Sequence, residues 1–256
     1  MFESIITLGL LIVVGLAAGT LGSMLGVGGG IIMVPALTFL NVPPIPAAST
    51  SLIAVTSTSI SSAIEYSRQK KIEYRLGLEM AACAIPGAIL GAIISNYLPA
   101  ASFKIFFGVL LICTGLYILY RNLIIAHKAV RSSSRALRAL LFSVAFCAGV
   151  ISSLFGVGGG IIFVPAMLLI LGLTMQRAAA TSQLSLLLTS ISGVFTHSYL
   201  GHPDYVHAVA LSVGAFAGAQ VGARISRATK ETILQQLLGI MLMAVAIVFI
   251  LNGLDI

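Results

Sequence analysis

Two stretches carry residue types that conflict with the chain around them. Ser23 to Leu37 reads SMLGVGGGIIMVPAL and Ser153 to Met167 reads SLFGVGGGIIFVPAM, each with four glycines in five positions of an apolar run. Glycine weakens a helix interior by roughly 1 kcal/mol relative to alanine. Gly26, Gly28, Gly29 and Gly30 therefore break one apolar segment, and Gly156, Gly158, Gly159 and Gly160 break another. The helices that restart at Ile31 and Ile161 open with backbone N–H groups lacking internal partners and with the positive end of a helix dipole. Such an end favours an anion. Small residues also let helices pack closely in membranes. That simpler reading suits Gly87, Gly91 and Ser95, and Gly214, Gly218 and Gly222, which are spaced by four. The glycine clusters exceed that need, and a proline, Pro35 or Pro165, follows each at the same register.

Hydroxyl groups form a second candidate set. Thr50, Ser51, Thr58 and Ser59 recur as Thr181, Ser182, Thr189 and Ser190. Hydroxyls within helices bond back to their own carbonyls, so the repeated subset holds the candidate donors to an oxyanion. Gln183 and Gln220 have no counterpart and fit either substrate discrimination or packing. Glu79 follows Arg75 by four residues and is expected at an interface, which leaves no clear midplane acid as a proton carrier. His197, His202 and His207 gather with Asp204, but their spacing matches no zinc pattern and a solvated loop is expected. Cys83, Cys113 and Cys147 lack metal-type spacing and are expected to pack as small buried hydrophobes. A dinucleotide fingerprint would need glycine at Ile31 or Ile161, and a P-loop would need a Lys-Ser/Thr pair. No cofactor and no metal are expected.

The elements that must position these groups belong to a bilayer. The 256 residues are 59% hydrophobic and 8% charged, where a soluble domain has about 45–50% and about 25%. Eight apolar runs approach or exceed the roughly 20 residues a spanning helix needs: Ile5–Leu25, Ala47–Ile64, Leu76–Leu98, Ala100–Tyr120, Ala139–Leu154, Ala178–Tyr199, Tyr205–Ala223 and Thr232–Leu251. They are continuous rather than alternating, which excludes barrel strands. The net charge of +7 fits basic cytoplasmic loops, and no basic stripe with interleaved aromatics points to nucleic acid. The first run is preceded by Glu3 rather than a basic region and continues into the glycine motif, so it reads as mature structure and not as a signal peptide.

The chain is an internal repeat. At an offset of 130, Ser23, Gly26–Ile32 and Val34–Ala36 match Ser153, Gly156–Ile162 and Val164–Ala166. After a one-residue slip, Thr50–Ser61 aligns with Thr181–Ser192. Farther on, at a shifted register, Gly87, Ala88, Gly91 and Ala92 match Gly214, Ala215, Gly218 and Ala219, and Gly108 matches Gly239. The first repeat covers 1–128 and the second 129–256. Arg68, Lys70, Lys71 and Arg75 mark the connection after the second run as cytoplasmic, whereas the equivalent THSYLGHPDYVHA has no Lys or Arg. Placing 13 of the 14 basic residues inside leaves only Lys104 outside, so the halves are inverted. Each then needs one reversal, which the glycine break supplies as a hairpin, and both termini face out. The expected fold is an all-α polytopic helix bundle of about eight hydrophobic segments in two inverted repeats, each opening with a glycine-broken hairpin.

With the duplicated G-x-G-G-G-x-x-x-x-P pattern at Gly26–Pro35 and Gly156–Pro165, and the A-x-x-T-S elements at Ala47–Ser51 and Ala178–Ser182, the chain resembles the sulfite exporter TauE/SafE-like family of membrane permeases over essentially its full length. The resemblance implies an inner-membrane protein that moves sulfite, sulfonates or related sulfur-containing anions. Broken helices at the centre of inverted repeats are where secondary transporters bind substrate. The expectation is therefore an alternating-access transporter of small anions, with the bilayer and the anion as its partners. An anion channel is the alternative within transport; a membrane-embedded enzyme lacks the paired carboxylates or positioned nucleophile it would need, and an assembly component is the remaining class. Which anion, the direction, the coupling and the oligomeric state are left open.

Overall fold

A computed structural model of the chain describes residues 2–97, 108–109, 112–113, 115–116 and 135–253. Lys104, most of the run Ala100–Tyr120, the linker cations Arg121, Lys128 and Arg131, and the repeat division at 128/129 lie outside the described residues. Nine helices and no strand occur among those described: α1 (Phe2–Leu25), α2 (Gly30–Phe39), α3 (Pro44–Arg68), α4 (Tyr74–Ser95), α5 (Arg135–Phe155), α6 (Gly160–Ile170), α7 (Met175–Tyr199), α8 (Tyr205–Ala228) and α9 (Glu231–Gly253). Seven of the eight apolar runs are thus helices, and the two additional short ones, α2 and α6, are the returning arms behind the glycines. Among the described residues, five helices are long and apolar enough to cross a membrane: α1 over Ile6–Leu25, α3, α4, α7 and α8.

The helix directions follow from named contacts. Thr50, near the start of α3, accepts a hydrogen bond from the Asp204 N–H just beyond α7 at 2.9 Å. Its counterpart Thr181, near the start of α7, accepts from the Glu73 N–H just beyond α3 at 3.1 Å. The two central helices therefore run antiparallel, and the α3–α4 and α7–α8 connections lie at opposite ends of the molecule. Glycines set the remaining pairs. Gly214 and Gly218 press against the backbone at Ile12 and Leu16, and Gly87 and Gly91 against that at Phe146 and Val150, so closely that a Cβ would collide with a carbonyl oxygen. The positions rise together in both pairs, so α1 lies parallel to α8 and α5 parallel to α4. This is the close-packing role expected of these stripes. The first helix of each half packs on the fourth helix of the other, so the halves are intertwined rather than side by side.

Charge is polarised along this frame. Lys71 donates to Gln176 at 2.7 Å, Arg177 pairs with Glu73 at 2.7 Å, and Arg224 lies 3.6 Å from Glu65. Lys70, Arg75, Arg227 and Lys230 occupy the same end. At the other end, the described connections 40–43 and 200–204 contain neither Lys nor Arg. Glu79 is half-exposed and bridges to Arg75 at 3.0 Å, as its interfacial reading requires. The cysteine expectation needs correction: Cys147 and Cys113 are exposed on the apolar outer surface, and only Cys83 is partly buried. In lipid an outward apolar side chain costs nothing, so hydrophobicity does not separate the two faces of a spanning helix.

Candidate functional site

Each half opens with a hairpin whose bend is made of glycine. After α1 the chain turns through Gly26, Gly28 and Gly29, with φ of 78°, 88° and 85°, and re-enters a helix at Gly30. After α5 it turns through Gly156 and Gly158, with φ of 70° and 78°. These left-handed values are strained for any residue with a Cβ, which explains why the break is written in glycine. The arms α2 and α6 have 10 and 11 residues, or about 15 Å at 1.5 Å per residue, half the thickness of a bilayer core.

The two bends meet at the middle of the molecule. A Cβ at Gly28 would lie 3.0 Å from Val55 Cγ1 and 3.2 Å from Leu186 Cδ1, and one at Gly158 3.1 Å and 3.2 Å from the same two side chains. Val55 and Leu186 are each the twelfth residue of a 25-residue helix, α3 and α7. The bends also cross: Gly30 lies against the backbone of Gly156 and Val157, and Gly160 against that of Gly26 and Val27.

Reciprocal hydroxyls fix the crossing. Ser51 Oγ on α3 donates to the Gly156 carbonyl at 2.8 Å, and Ser182 Oγ on α7 donates to the Gly26 carbonyl at 2.7 Å. Each half therefore holds the glycine bend of the other. Gln183 adds a bond that has no counterpart: its Nε2 donates to the Gly22 carbonyl at 3.0 Å while its Oε1 accepts from Ser59 Oγ at 3.1 Å. Thr58 and Thr189 donate to the carbonyls of Ala54 and Ser185 in their own helices, and Ser190 donates to that of Leu187. Thr50, Ser51, Thr58, Ser59, Thr181, Ser182, Gln183, Thr189 and Ser190 are all fully buried.

This geometry separates two chemical roles among the candidate residues. Ser51, Ser182, Thr58, Thr189, Ser59 and Ser190 spend their single O–H donor on the protein in this conformation. The N–H groups of Gly29, Gly30 and Ile31, and of Gly159, Gly160 and Ile161, have no acceptor among the described residues. Ile31 and Ile161 are 0% and 1% exposed, and an unpaired buried N–H costs free energy that an acceptor would recover. The crossing is closed, with clefts on its flanks. One of about 430 Å³ runs beside Ile161, Pro165 and Cys113. Another, of about 330 Å³, is bordered by Thr56, Ser57 and Ser212, whose Oγ has no partner.

Some of this was readable only with the structure. Thr50 and Thr181 cap the backbone beyond the other half's long helix, a role that nothing in their local sequence signals. His197 was expected in a solvated loop; it is instead fully buried in the last turn of α7, because its ring reaches back to the Ser153 carbonyl at 3.0 Å.

The architecture is that of a polytopic helical membrane protein built from two inverted repeats. Residues 11–249 match the family model described as Sulfite exporter TauE/SafE, and the chain belongs to that family. It is 33% identical over 266 residues, 95% of this chain and 97% of the other, to "Probable membrane transporter protein YunE" of Bacillus subtilis (strain 168). It is 28% identical over 230 residues, 88% and 93% of the two chains, to "Probable membrane transporter protein YdhB" of the same organism. To "Probable membrane transporter protein YfcA" of Escherichia coli (strain K12) it is 27% identical over 223 residues, 85% and 80% of the two chains. No solved structure matches it. The protein is a multi-pass membrane transporter.

Proposed function

We propose that this transporter is a secondary carrier of small anions, sulfite or organosulfonates and related sulfur oxyanions, which pass the crossed glycine bends by alternating access. The observation that carries the reading is the pair of helix starts, at Gly30 and Gly160, that bring unpartnered N–H groups to the centre of the molecule. An oxyanion there would gain several N–H bonds and two favourable dipole ends without a buried Lys or Arg. The family description supports the sulfur-containing class.

In this reading the serines are latches as well as ligands. The Ser51–Gly156 and Ser182–Gly26 bonds close the crossing when the site is empty. Separating the bends on one side frees a hydroxyl to donate to the anion, so ligand and latch compete for the same O–H. Thr58, Thr189, Ser59 and Ser190 line the route between the central helices. The basic end is the cytoplasmic one under the positive-inside rule, and both termini face outward from the inner membrane. The division into a repeat of residues 1–128 and another of 129–256 follows from the same inversion. The chemistry is transport without covalent change of the substrate.

The test is anion flux into proteoliposomes of the purified protein, comparing sulfite, sulfoacetate, taurine, sulfate and acetate with empty vesicles. Saturable flux selective for a sulfur-containing anion is the expected result. Equal, non-saturating flux of all five would favour a channel, and no flux from folded protein would remove the transport of these anions from consideration.

A further inference from the structure

The α7–α8 connection carries a pair of histidine rings, one buried and one partly exposed, that anion binding does not use. His197 Nδ1 lies 2.8 Å from His202 Nδ1, and His202 Nε2 lies 2.7 Å from the side-chain oxygen of Asn96. The far nitrogen of His197, Nε2, faces the Ser153 carbonyl at 3.0 Å. A carbonyl only accepts, so this Nε2 carries a hydrogen. In the neutral ring Nδ1 is then an acceptor, and His202 Nδ1–H must donate to it. The outer His202 Nε2 is left as an acceptor, which Asn96 satisfies by turning its NH2 inward. When that nitrogen gains a proton, Asn96 presents its oxygen, and either arrangement is a rotation of one exposed amide.

The pair admits one added proton and no more, since a second would set two N–H donors against each other at 2.8 Å. In the charged form the bridging proton can sit on either Nδ1, which moves the charge between the part-exposed ring and the buried one. Burial disfavours a charge on the pair, and the helix ends around it act against that cost. The C-terminal ends of α4 at Ser95, α5 at Phe155 and α7 at Tyr199 converge here, and each helix dipole presents its negative end. Among the described residues, the titratable group that acts on His197 is His202. From α5 the Ser153 carbonyl faces His197, and from α4 Asn96 faces His202. Asp204 and His207 are paired with each other at the start of α8, and Tyr97 and Tyr199 are 82% and 92% exposed.

The repeat gives the pair its meaning. With the one-residue slip, His197 stands where the first half has Tyr66, and His202 where it has Lys71. Tyr66 is also fully buried, and its hydroxyl donates to the Ser23 carbonyl at 2.9 Å. Ser23 and Ser153 open the two glycine motifs. Equivalent carbonyls at the root of each hairpin are thus held by a phenol in one half and by an imidazole in the other, and of these two groups only the imidazole changes charge between about pH 5 and 8.

We propose that His197 and His202 form a one-proton site whose occupancy controls the second glycine hairpin, so that anion movement, on the reading above, is coupled to protons taken up at the end opposite the basic cluster. Burial pushes His202 below the ordinary histidine range, so the pair is neutral at neutral pH and loads as the medium acidifies.

Nitrogen-15 histidine NMR of the purified full chain, recorded from about pH 8 down to about pH 4, reads the site without any flux. The rings of His197 and His202 are expected to shift together with uptake of one proton. His197→Tyr, which installs the group Tyr66 already uses, removes that joint transition; if this variant does not fold, His202→Gln serves the same purpose. Two independent histidine titrations, or rings that do not respond, overturn the site. For the coupling, flux of a sulfonate whose charge is constant is compared at two pH values about two units apart across the transition, over which the protonated fraction changes up to about tenfold. The wild-type ratio departs from one and the variants return it to one. A ratio unchanged in both variants, or saturable wild-type flux with no pH response, overturns the coupling and leaves anion transport standing. Absence of flux for every anion overturns the transport reading and the coupling with it, while the ring titration still decides the proton site.

Discussion

Adding one methyl group at the crossing, as Gly30→Ala or Gly160→Ala, is the sharpest perturbation of the bends. A Cβ at Gly30 would lie 2.6 Å from Val157 Cα, and one at Gly160 2.6 Å from Val27 Cα. Ordinary contact begins near 3.4 Å, so the bends must part by at least about 0.8 Å, and by more at the nearer carbonyl oxygens of Gly156 and Gly26; backbone cannot yield as a side-chain tip does. Ser51 and Ser182 hold the two carbonyls in place and resist the motion. Overpacking of this kind costs about 1–3 kcal/mol, which at about 2–4 °C per kcal/mol for a chain of this size is a fall in Tm of about 2–12 °C. Both substitutions strain a single crossing, so parting the bends for one makes room for the other. The double variant should therefore lose less than the sum of the singles, with a coupling of about 0.5–3 kcal/mol. Thermal unfolding of detergent-purified protein measures all three, with Gly9→Ala as the control, since a Cβ there meets nothing within 4 Å. Wild-type Tm in both singles, or strict additivity in the double, would refute the crossing.

Ser51→Ala and Ser182→Ala each strand a buried glycine carbonyl, and each should cost about 1–3 kcal/mol and to a similar degree, measured as loss of Tm. In a cysteine-free background, Lys70→Cys and Tyr199→Cys should label with an impermeant reagent from opposite faces of the membrane, and labelling from one face would refute the inversion. Burial raises the Asp204 pKa, but the bonds and charge of His207 and the Val206 N–H outweigh it and hold the carboxyl below its usual range. Its contribution to stability is therefore present above the unfolded value near 3.9 and is lost as pH falls through the lower folded value. Asp204→Asn should flatten that acid limb in a Tm-versus-pH series, and an unchanged limb would show that the pairing with His207 contributes nothing.

The hairpins and their inversion were legible because the signals are strong and local: glycine runs that no helix tolerates, and Lys and Arg confined to one set of connections. The packing stripes at Gly87, Gly91, Gly214 and Gly218 were equally plain from their spacing. The partners of Ser51 and Ser182 were not, since each lies more than a hundred residues away across an antiparallel pair. Sequence identity marked these hydroxyls as repeated without saying whether they face a ligand or a carbonyl. The equivalence of Tyr66 and His197 is not legible in the sequence for a different reason. The two side chains share a hydrogen-bonding task but no chemical type, so identity alone does not align them. Cys147 was misplaced because lipid and protein interior are equally apolar.

Counterflow of labelled sulfite through Gly28→Leu and Gly158→Leu, beside wild type, would decide whether the meeting of the bends is the anion path. Gly28 and Gly158 face Val55 and Leu186 at the centre and leave no room for a branched side chain. Saturable exchange in wild type, abolished by either substitution in protein that remains assembled, is the expected result. Exchange at the wild-type rate in both variants would contradict it and place the path elsewhere.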